Sequence, residues 1–332
     1  MGLAGAGPAA AGEPGGASKV VVLAGGTGGA KLARGMLDVI AAEELVVIAN
    51  TGDDIDIYGA HVSPDPDLVT FWLADRIDER GWGLRGDTFE VMEGLRELGV
   101  DVWFQLGDRD LAWCLERRRM ELEGMTPTLA LRELSRRIGV EAQVLPMCDG
   151  AQRTFVNGMP LQEFLIRERG QGPVREVRFE HGEGRPAVTP QVGAALAQAR
   201  AVIVGPSNPV ISIWPILTAI GGALAQISAP VVAVSPVVGG EVLKGPTDAF
   251  LSGAGVPTSA AGVISYYERV QPGLLDGCVA DEPLLDEPAA AGLATLEADT
   301  RMSDAGSRAS VARRVLAFAE SLASSRGAAE HR

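Results

Sequence analysis

Short apolar runs separated by polar or glycine-rich turns predict a βαβ unit near the start of the chain. Lys19–Ala24 and Leu45–Ala49 have the length and composition of two buried strands. Between them, residues 30–40 carry apolar side chains at helical spacing behind a run of glycines. A strand, a glycine turn, a helix and a second strand indicate a parallel sheet with right-handed crossovers.

The same pattern returns in the second half of the chain. Residues 201–204 and 231–235 are predicted strands, and residues 174–179 form a further one. Asn208 and Pro209 follow the strand at 201–204 as the N-cap and the first residue of a helix. We therefore predict an α/β fold: a Rossmann-like, three-layer αβα core with a mainly parallel sheet.

Between the two halves the pattern changes to three helices rich in Arg and Glu, at residues 88–98, 110–123 and 127–138. A last helix is predicted at residues 304–324. The predicted organisation is a disordered, Ala/Gly/Pro-rich extension at 1–18, a Rossmann-like core at 19–77 and 141–285, a helical subdomain at 78–140, and a C-terminal segment with a surface helix at 286–332.

Composition narrows the classes of function. The 332 residues include 29 Lys and Arg against 43 Asp and Glu, a net charge of −14. This balance disfavours nucleic acid as a partner, because neutralising phosphates needs a basic surface. The three cysteines have no C-x-x-C spacing and there are three histidines. A disulfide framework, a zinc ribbon and a three-histidine metal site are therefore not expected.

The hydrophobic runs also bear on location. The longest of them are strand-sized, which is too short to cross a membrane. The N-terminus lacks the basic and apolar regions of an export signal. We expect a cytoplasmic protein that does not contact a membrane.

A glycine turn follows the first strand and precedes the first helix. It is neither a Walker A motif nor a complete G-x-G-x-x-G motif. Consecutive glycines let backbone N–H groups approach an anion at a helix N-terminus, although a tight turn without a ligand is the alternative. The candidate phosphate-binding residues are Gly25, Gly26, Thr27, Gly28, Gly29 and Lys31.

An acidic stretch follows the second strand, where ligands bind in parallel sheets. It contains Asp53 and Asp54, and Asp65 and Asp67 come shortly after. Clustered carboxylates beside a phosphate-binding turn indicate Mg²⁺, and the alternative is a solvated acidic loop. An EF-hand loop is disfavoured, because a strand precedes the stretch and Pro64 interrupts it.

Two further turns carry candidate chemistry. Arg109 lies in the stretch LGDRD between a predicted strand at 102–105 and a helix. It would pair with a substrate oxygen or form a structural pair with an aspartate. Ser207, Asn208 and Pro209 open a helix after a strand, which favours either nucleotide binding or an ordinary capped helix.

Residues 19–285 contain, in order, the stretches LAGGTGGAKLARG, NTGDD, SPDPD, RGWGLRGDTFE, LGDRDLA, LPMCD, GPSNPVISI and APVVAVSPVVGG. Together these motifs resemble the CofD/FbiA-type family, the 2-phospho-L-lactate or phosphoenolpyruvate transferases of coenzyme F-420 biosynthesis. The resemblance implies transfer from a guanosine-diphosphate-linked three-carbon acid to the primary alcohol of the deazaflavin Fo, with release of GMP and formation of (dehydro) coenzyme F-420-0. It also implies a requirement for Mg²⁺ and a homodimer.

The resemblance assigns roles to the candidate residues. The glycine turn and Lys31 would hold the diphosphate, and Asp53, with Asp54 or Asp65, would hold Mg²⁺. Asp67 and Arg109 resemble positions that contact Fo, and Asp67 would orient the attacking hydroxyl or accept its proton. The predicted catalytic set is therefore Asp53, Asp67 and Arg109. The guanosine end would be held by Asn50, Ser207, Asn208 and Pro209.

Two other classes remain as alternatives. A YvcK-like nucleotide-sugar-binding regulator would share the glycine turn but would not need SPDPD and LGDRD. An ordinary Rossmann dehydrogenase is disfavoured, because the third glycine is missing and Asn50, not an acid, ends the second strand.

Asp56 and Tyr58 depart from the family pattern, so the resemblance does not define the packing near the Fo ring. The donor acid is also open: phosphoenolpyruvate, 2-phospholactate and 3-phosphoglycerate differ by few atoms.

Overall fold

The computed structural model describes residues 18–182, 186–243 and 245–330. The predicted extension at residues 1–18 lies outside the described residues, apart from Ser18. Among the described helices, none combines the length and the apolar character that crossing a membrane requires.

Fourteen strands occur in the described residues. In chain order they are β1 (Lys19–Ala24), β2 (Leu45–Ala49), β3 (Ile55–Ile57), β4 (Ala60–Val62), β5 (Gln143–Pro146), β6 (Gln152–Val156), β7 (Met159–Pro160), β8 (Val177–His181), β9 (Ala199–Val204), β10 (Val231–Val234), β11 (Val237–Val238), β12 (Glu241–Val242), β13 (Gly277–Ala280) and β14 (Ala294–Glu297).

Seven of the strands form the central sheet, in the order β14-β13-β10-β9-β1-β2-β5. Every neighbouring pair is parallel, as predicted. Side chains alternate across the sheet, so Val20 and Val22 enter one apolar core while Val21 and Leu23 enter the other. A parallel sheet buried on both faces explains why its strands read as continuous apolar runs.

Helices cover both faces of the sheet. They are α1 (Gly26–Met36), α2 (Pro64–Leu73), α3 (Glu90–Glu97), α4 (Asp108–Leu122), α5 (Pro127–Arg137), α6 (Leu161–Ile166), α7 (Pro190–Ala197), α8 (Trp214–Leu224), α9 (Thr247–Gly253), α10 (Ala260–Val270) and α11 (Ala305–Glu330). A π-helical turn, Pro209–Ile213, leads into α8. Helices α1, α2, α4, α5 and α11 pack on one face, and α7 to α10 pack on the other. The three-layer αβα prediction is confirmed.

Several predicted boundaries differ from the structure. The helix predicted at 30–40 begins at Gly26, so the glycine turn is itself the first helical turn, and it ends at Met36. Residues 102–105 form no strand, because Phe104 is buried in the wall of a cavity instead of pairing with a neighbouring strand. Helix α2 was missed, although Ser63 and Pro64 give the same start signal as the confirmed helix at Pro127.

The core is larger than predicted at both the middle and the end of the chain. Helices α3 to α5 contribute Met92, Met120 and Leu134 to the first apolar core and have no separate core of their own. Strand β14 adds an edge to the central sheet beyond residue 285. The C-terminal helix also buries one face, through residues such as Val315, so it is a helix of the αβα layers and not only a surface element.

Candidate functional site

The topological switch point of the sheet lies between β1 and β9. The chain leaves β1 towards β2 on one side and leaves β9 towards β10 on the other. Open α/β sheets bind ligands at such a point, beyond the carboxyl ends of the strands. A cavity of about 560 Å³ opens there, which we call the switch-point cavity. Ten predicted site residues line it: Gly25, Gly26, Thr27, Gly28, Lys31, Asn50, Asp53, Asp65, Ser207 and Asn208.

Close packing requires the glycines of the turn after β1. A Cβ on Gly28 would lie 2.0 Å from the carbonyl oxygen of Pro206, and a Cβ on Gly29 would lie 2.6 Å from Ser207 Oγ. Gly26 has φ of +67°, which favours glycine. Gly29 does not line the cavity, so its role is to let α1 approach β9. The turn therefore brings the N-terminus of α1 and its backbone amides to the cavity.

Asp53 and Asp65 are buried carboxyl groups on the cavity wall, and the side chain of Asn50 joins them. Asn50 Nδ2 lies 2.9 Å from Asp65 Oδ2 and 3.4 Å from Asp53 Oδ1. Burial raises the pKa of Asp53 well above its ordinary value, and the charge of Asp65 adds to this effect. Burial also raises the pKa of Asp65 to about 6, although Asn50 and the amide of Gly26 donate to it. A divalent cation relieves such repulsion, so this pair fits a metal.

Asp54, predicted as a metal ligand, faces away from the switch-point cavity. Its carboxylate accepts a hydrogen bond of 2.7 Å from Ser63 Oγ and lies 3.3 Å from His61 Nε2. The β3–β4 hairpin, which sequence reasoning missed, returns the chain and places His61 there. Although burial opposes it, the hydrogen bonds to Asp54 and Asp56 raise the pKa of His61 to about 9. Asp54 therefore has His61 as a charge partner, and its role as a metal ligand stays a prediction.

A second cavity, of about 400 Å³, lies between α2 and α4. We call it the apolar cavity. Its apolar lining includes Leu68, Phe71, Trp82, Phe104, Leu106 and Ile166. Three carboxyl groups also line it: Asp65, Asp67 and Asp110. Asp65 lines both cavities, so the two adjoin at this residue.

Asp67 is held in a buried ion pair. Both of its oxygens accept hydrogen bonds from the guanidinium of Arg117, and Oδ1 also accepts one of 2.7 Å from Trp113 Nε1. The side chains of Asp67 and Arg117 are 5% and 4% exposed, so the pair is shielded from water. Both carboxylate oxygens of Asp67 are thus already occupied by hydrogen-bond donors. The geometry therefore favours Asp67 as part of the cavity wall over the predicted role of base.

Arg109 lies outside both cavities. Its side chain is exposed, and its guanidinium reaches the carbonyl oxygen of Arg85 at 3.5 Å. Helix α4 begins at Asp108. Asp110, Cys114 and Arg117, which follow one another at intervals of four and three residues, share its buried face instead. Arg109 thus lines neither cavity, whereas its neighbour Asp110 lines the apolar cavity, and the Fo contact of Arg109 stays a prediction.

Asp87 and Asp108 explain why two of the motifs occur together. The carboxylate of Asp108 accepts hydrogen bonds from the backbone N–H groups of Glu90 and Val91 at the start of α3. The carboxylate of Asp87 accepts from the N–H groups of Arg109 and Asp110 at the start of α4. The stretches RGDTFE and LGDRD therefore cap each other's helices, which fixes the wall of the apolar cavity.

Two polar atoms on the switch-point cavity lack a partner within the described residues. Asn208 caps the π-helical turn through Oδ1, which accepts from Val210 and Ile211, while its Nδ2 donor is buried and unpaired. Thr300 Oγ1, in the loop before α11, is also buried and unpaired. Such atoms point to a polar ligand in the cavity. Pro209, predicted as a ligand contact, is buried as the first residue of the turn and does not line the cavity.

Sequence reasoning missed three residues of this region, Asp110, Arg117 and Thr300. The spacing of Asp110, Cys114 and Arg117 puts all three on one face of α4, which is a signal that the sequence offered. No local signal marks Thr300, because its loop reaches the cavity only after β14 joins the sheet.

Comparison with known proteins identifies the family to which this chain is similar. A family model described as 2-phospho-L-lactate transferase CofD matches residues 20–315. The 2-phospho-L-lactate transferase of Methanopyrus kandleri is 36% identical over 314 residues, which cover 92% of this chain and 98% of that protein. The phosphoenolpyruvate transferase of Streptomyces griseus is 35% identical over 317 residues, which cover 91% of this chain and 98% of that protein.

Solved structures share the fold. The crystal structure of a UPF0052 family member from Bacillus halodurans matches with a TM-score of 0.61 and 15% identity, over 90% of this chain and 98% of that chain. At this identity the likeness concerns the fold alone. It agrees with the seven-stranded parallel sheet covered by helices on both faces.

Proposed function

Because the chain belongs to the 2-phospho-L-lactate transferase (CofD) family and is thus a transferase of F-420 biosynthesis, we propose that it transfers a phosphoenolpyruvate or 2-phospholactate group from a guanosine-diphosphate-linked donor to Fo. GMP is released and (dehydro) coenzyme F-420-0 is formed. The observation that carries this proposal is the meeting of two different cavities at Asp65. The switch-point cavity suits a phosphorylated ligand, and the apolar cavity suits an apolar ring.

The switch-point cavity suits the donor. Backbone amides at the N-terminus of α1 and the ammonium group of Lys31 favour a diphosphate. Lys31 also donates to the carbonyl oxygen of Met302 at 3.0 Å, which keeps its charge at the cavity. The unpaired Asn208 Nδ2 and Thr300 Oγ1 would hydrogen-bond the guanosine end. Asn50 holds the carboxyl groups in place and would not itself contact guanosine.

The apolar cavity suits the deazaflavin. A tricyclic ring needs a largely apolar slot with a few polar groups, and aromatic side chains such as Phe71, Trp82 and Phe104 provide it. Its junction with the donor cavity would bring the primary alcohol of Fo to the phosphorus next to the three-carbon acid. A bond then forms between the alcohol oxygen and phosphorus, the bond from phosphorus to the GMP oxygen breaks, and the alcohol proton is released.

Asp53 and Asp65 would hold Mg²⁺, because they are buried, repel each other and face the diphosphate position. When bound, the ion would neutralise charge that develops on the phosphate oxygens and on the departing GMP. The protein's own part is to align the two substrates and to exclude water from the junction. The homodimer remains a prediction from the family resemblance, and the cytoplasmic location remains a prediction from the sequence composition.

Product analysis tests the proposal. The protein is incubated with Fo and Mg²⁺ and with each guanosine-linked donor generated in situ, from phosphoenolpyruvate, 2-phospholactate or 3-phosphoglycerate. Mass spectrometry should then detect one Fo phosphodiester and an equal amount of GMP. Failure to form a product from any donor, in a protein that still binds nucleotide sugars, would instead support the YvcK-like alternative. Fo fluorescence gives a second readout. Quenching on mixing supports the transferase, and its absence supports the YvcK-like alternative.

A further inference from the structure

Asp110 is a buried carboxyl group to which the proposed function gives no role. Its residue is 9% exposed and lines the apolar cavity. In the part of the chain that the structure describes, its side chain receives one weak hydrogen bond, from Cys114 Sγ to Oδ1 at 4.0 Å. Oδ2 faces Gly83, where an added Cβ would lie 3.7 Å away. Most of its hydrogen-bonding capacity is therefore available to a molecule in the cavity.

The surrounding charges favour the neutral form of this carboxyl group. Asp67 on α2 and Asp87 in the loop before α3 repel a charge on Asp110, whereas Arg117 on the same helix attracts one. Arg117 is already paired with Asp67. Burial is the largest effect, and with these charges it raises the pKa of Asp110 to about 7. A protonated carboxyl group presents an O–H donor next to a C=O acceptor.

A cation is a poor occupant of this position. Oxygen and sulfur atoms of Asp67, Asp110 and Cys114 lie within 4.8 Å of one another, as in some metal sites. Both oxygens of Asp67, however, accept hydrogen bonds from Arg117. Burial also raises the pKa of the Cys114 thiol, so it stays protonated and is a weak ligand. The cluster is suited to a neutral, flat ligand.

We propose that the carboxyl group of Asp110 recognises the acceptor ring by pairing with an edge that presents an N–H beside a C=O. This inference rests on the proposed function, because the pyrimidinedione ring of Fo supplies such an edge. The carboxyl O–H donates to the ring carbonyl, and the carboxyl C=O accepts from the ring N–H. With the ring held in this way, the sugar-alcohol chain extends to the junction at Asp65. Asp110 thus selects the acceptor and sets its direction.

The first test measures the Kd of Fo by fluorescence titration between pH 6 and pH 8. Asp110→Asn keeps a donor beside an acceptor but does not titrate. Asp286→Asn makes the same change at an exposed position. Between pH 6 and pH 8, we expect the Kd of the wild type and the Kd of Asp286→Asn each to rise about tenfold. The ratio of the wild-type Kd to the Asp110→Asn Kd should also rise over this range. Using the ratio cancels any titration of Fo itself.

The second test uses Fo methylated on the ring N–H. Methylation should raise the Kd about tenfold or more for the wild type and for Asp110→Asn. In Asp110→Ala the penalty should fall below threefold, because the partner of the N–H is gone. Wild-type pH dependence in Asp110→Asn, or an undiminished methyl penalty in Asp110→Ala, overturns the inference while leaving the proposed function intact. Absence of Fo binding to the wild-type protein overturns both.

Discussion

Arg117 holds both carboxylate oxygens of Asp67, and this buried pair joins α2 to α4. Arg117 also donates to the carbonyl oxygen of His61 at 3.2 Å, and Trp113 donates to the same carboxylate. The SPDPD stretch is thereby tied to the helix that carries LGDRD. Two motifs that the sequence analysis treated as separate substrate contacts are parts of one wall.

Removing Arg117 should destabilise the protein strongly. Arg117→Leu leaves the carboxylate of Asp67 buried without its partner, which costs about 3–5 kcal/mol of unfolding free energy. Arg118→Leu is the matched control, because Arg118 is exposed and lies 3.8 Å from Glu121. We expect a change there within about 0.5 kcal/mol. Urea unfolding measures both, and equal stabilities of the two variants would contradict the structural role given to the pair.

The sequence predicted the parallel sheet and the switch-point residues because these follow from local patterns. Val20 to Ala24 and the glycines after them need no knowledge of distant residues. The direction of each carboxylate depends on tertiary contacts, so Asp53 and Asp54 were indistinguishable in the sequence although they face different ways. The spacing of Asp110, Cys114 and Arg117 marked one face of the predicted helix, but Arg109 lay outside that helix, so its outward direction became clear only with the start of α4 at Asp108.

Mg²⁺ should stabilise the wild-type protein and should not stabilise Asp53→Asn. The wild type gains about 2.7 kcal/mol when Mg²⁺ is present at a hundred times its Kd. In EDTA, Asp53→Asn should be at least as stable as the wild type, because repulsion between Asp53 and Asp65 is removed. Its turnover should fall by about a hundredfold or more. Thermal unfolding with and without Mg²⁺, together with GMP release, measures these effects.

Asp54→Asn is the control for this metal assignment. The change is the same and the position is adjacent, but the Asp54 carboxylate faces His61 and Ser63. The variant should keep its response to Mg²⁺. Full Mg²⁺-dependent turnover in Asp53→Asn, or loss of the Mg²⁺ response in Asp54→Asn, would refute the assignment.

Gly28→Ala should weaken nucleotide binding. The new Cβ would meet the Pro206 carbonyl oxygen at 2.0 Å, so α1 and the turn after β9 must separate. Such overpacking costs about 1–3 kcal/mol in stability and widens the cavity that we propose for GMP. Gly94→Ala on α3 meets nothing within 4 Å and should be neutral or slightly stabilising. Calorimetric titration with GMP should show weaker binding for Gly28→Ala alone.

Asp110→Asn should change stability in a pH-dependent way. Between its ordinary value of 3.8 and about 7, the folded protein keeps a proton on Asp110 that the unfolded chain has lost. Wild-type stability therefore falls as pH rises through this range, whereas asparagine contributes no such loss. The variant should gain up to about 4 kcal/mol relative to the wild type between pH 4 and pH 8. Unfolding in urea at both pH values measures this, and a constant difference would show that Asp110 is charged throughout.

Substitutions of Asn208 can separate its role as a helix cap from its proposed role in ligand binding. Its Oδ1 caps Val210 and Ile211, and its Nδ2 is buried and unpaired at the cavity. Asn208→Asp keeps an accepting oxygen at the cap and replaces the donor with a negative charge, so stability should hold while GMP affinity falls at least tenfold. Asn208→Ala loses both functions and should also cost about 1 kcal/mol in stability. If Asn208→Asp bound GMP as well as the wild type does, the free amide would have no part in holding the nucleotide, and the unpaired donor would need another ligand.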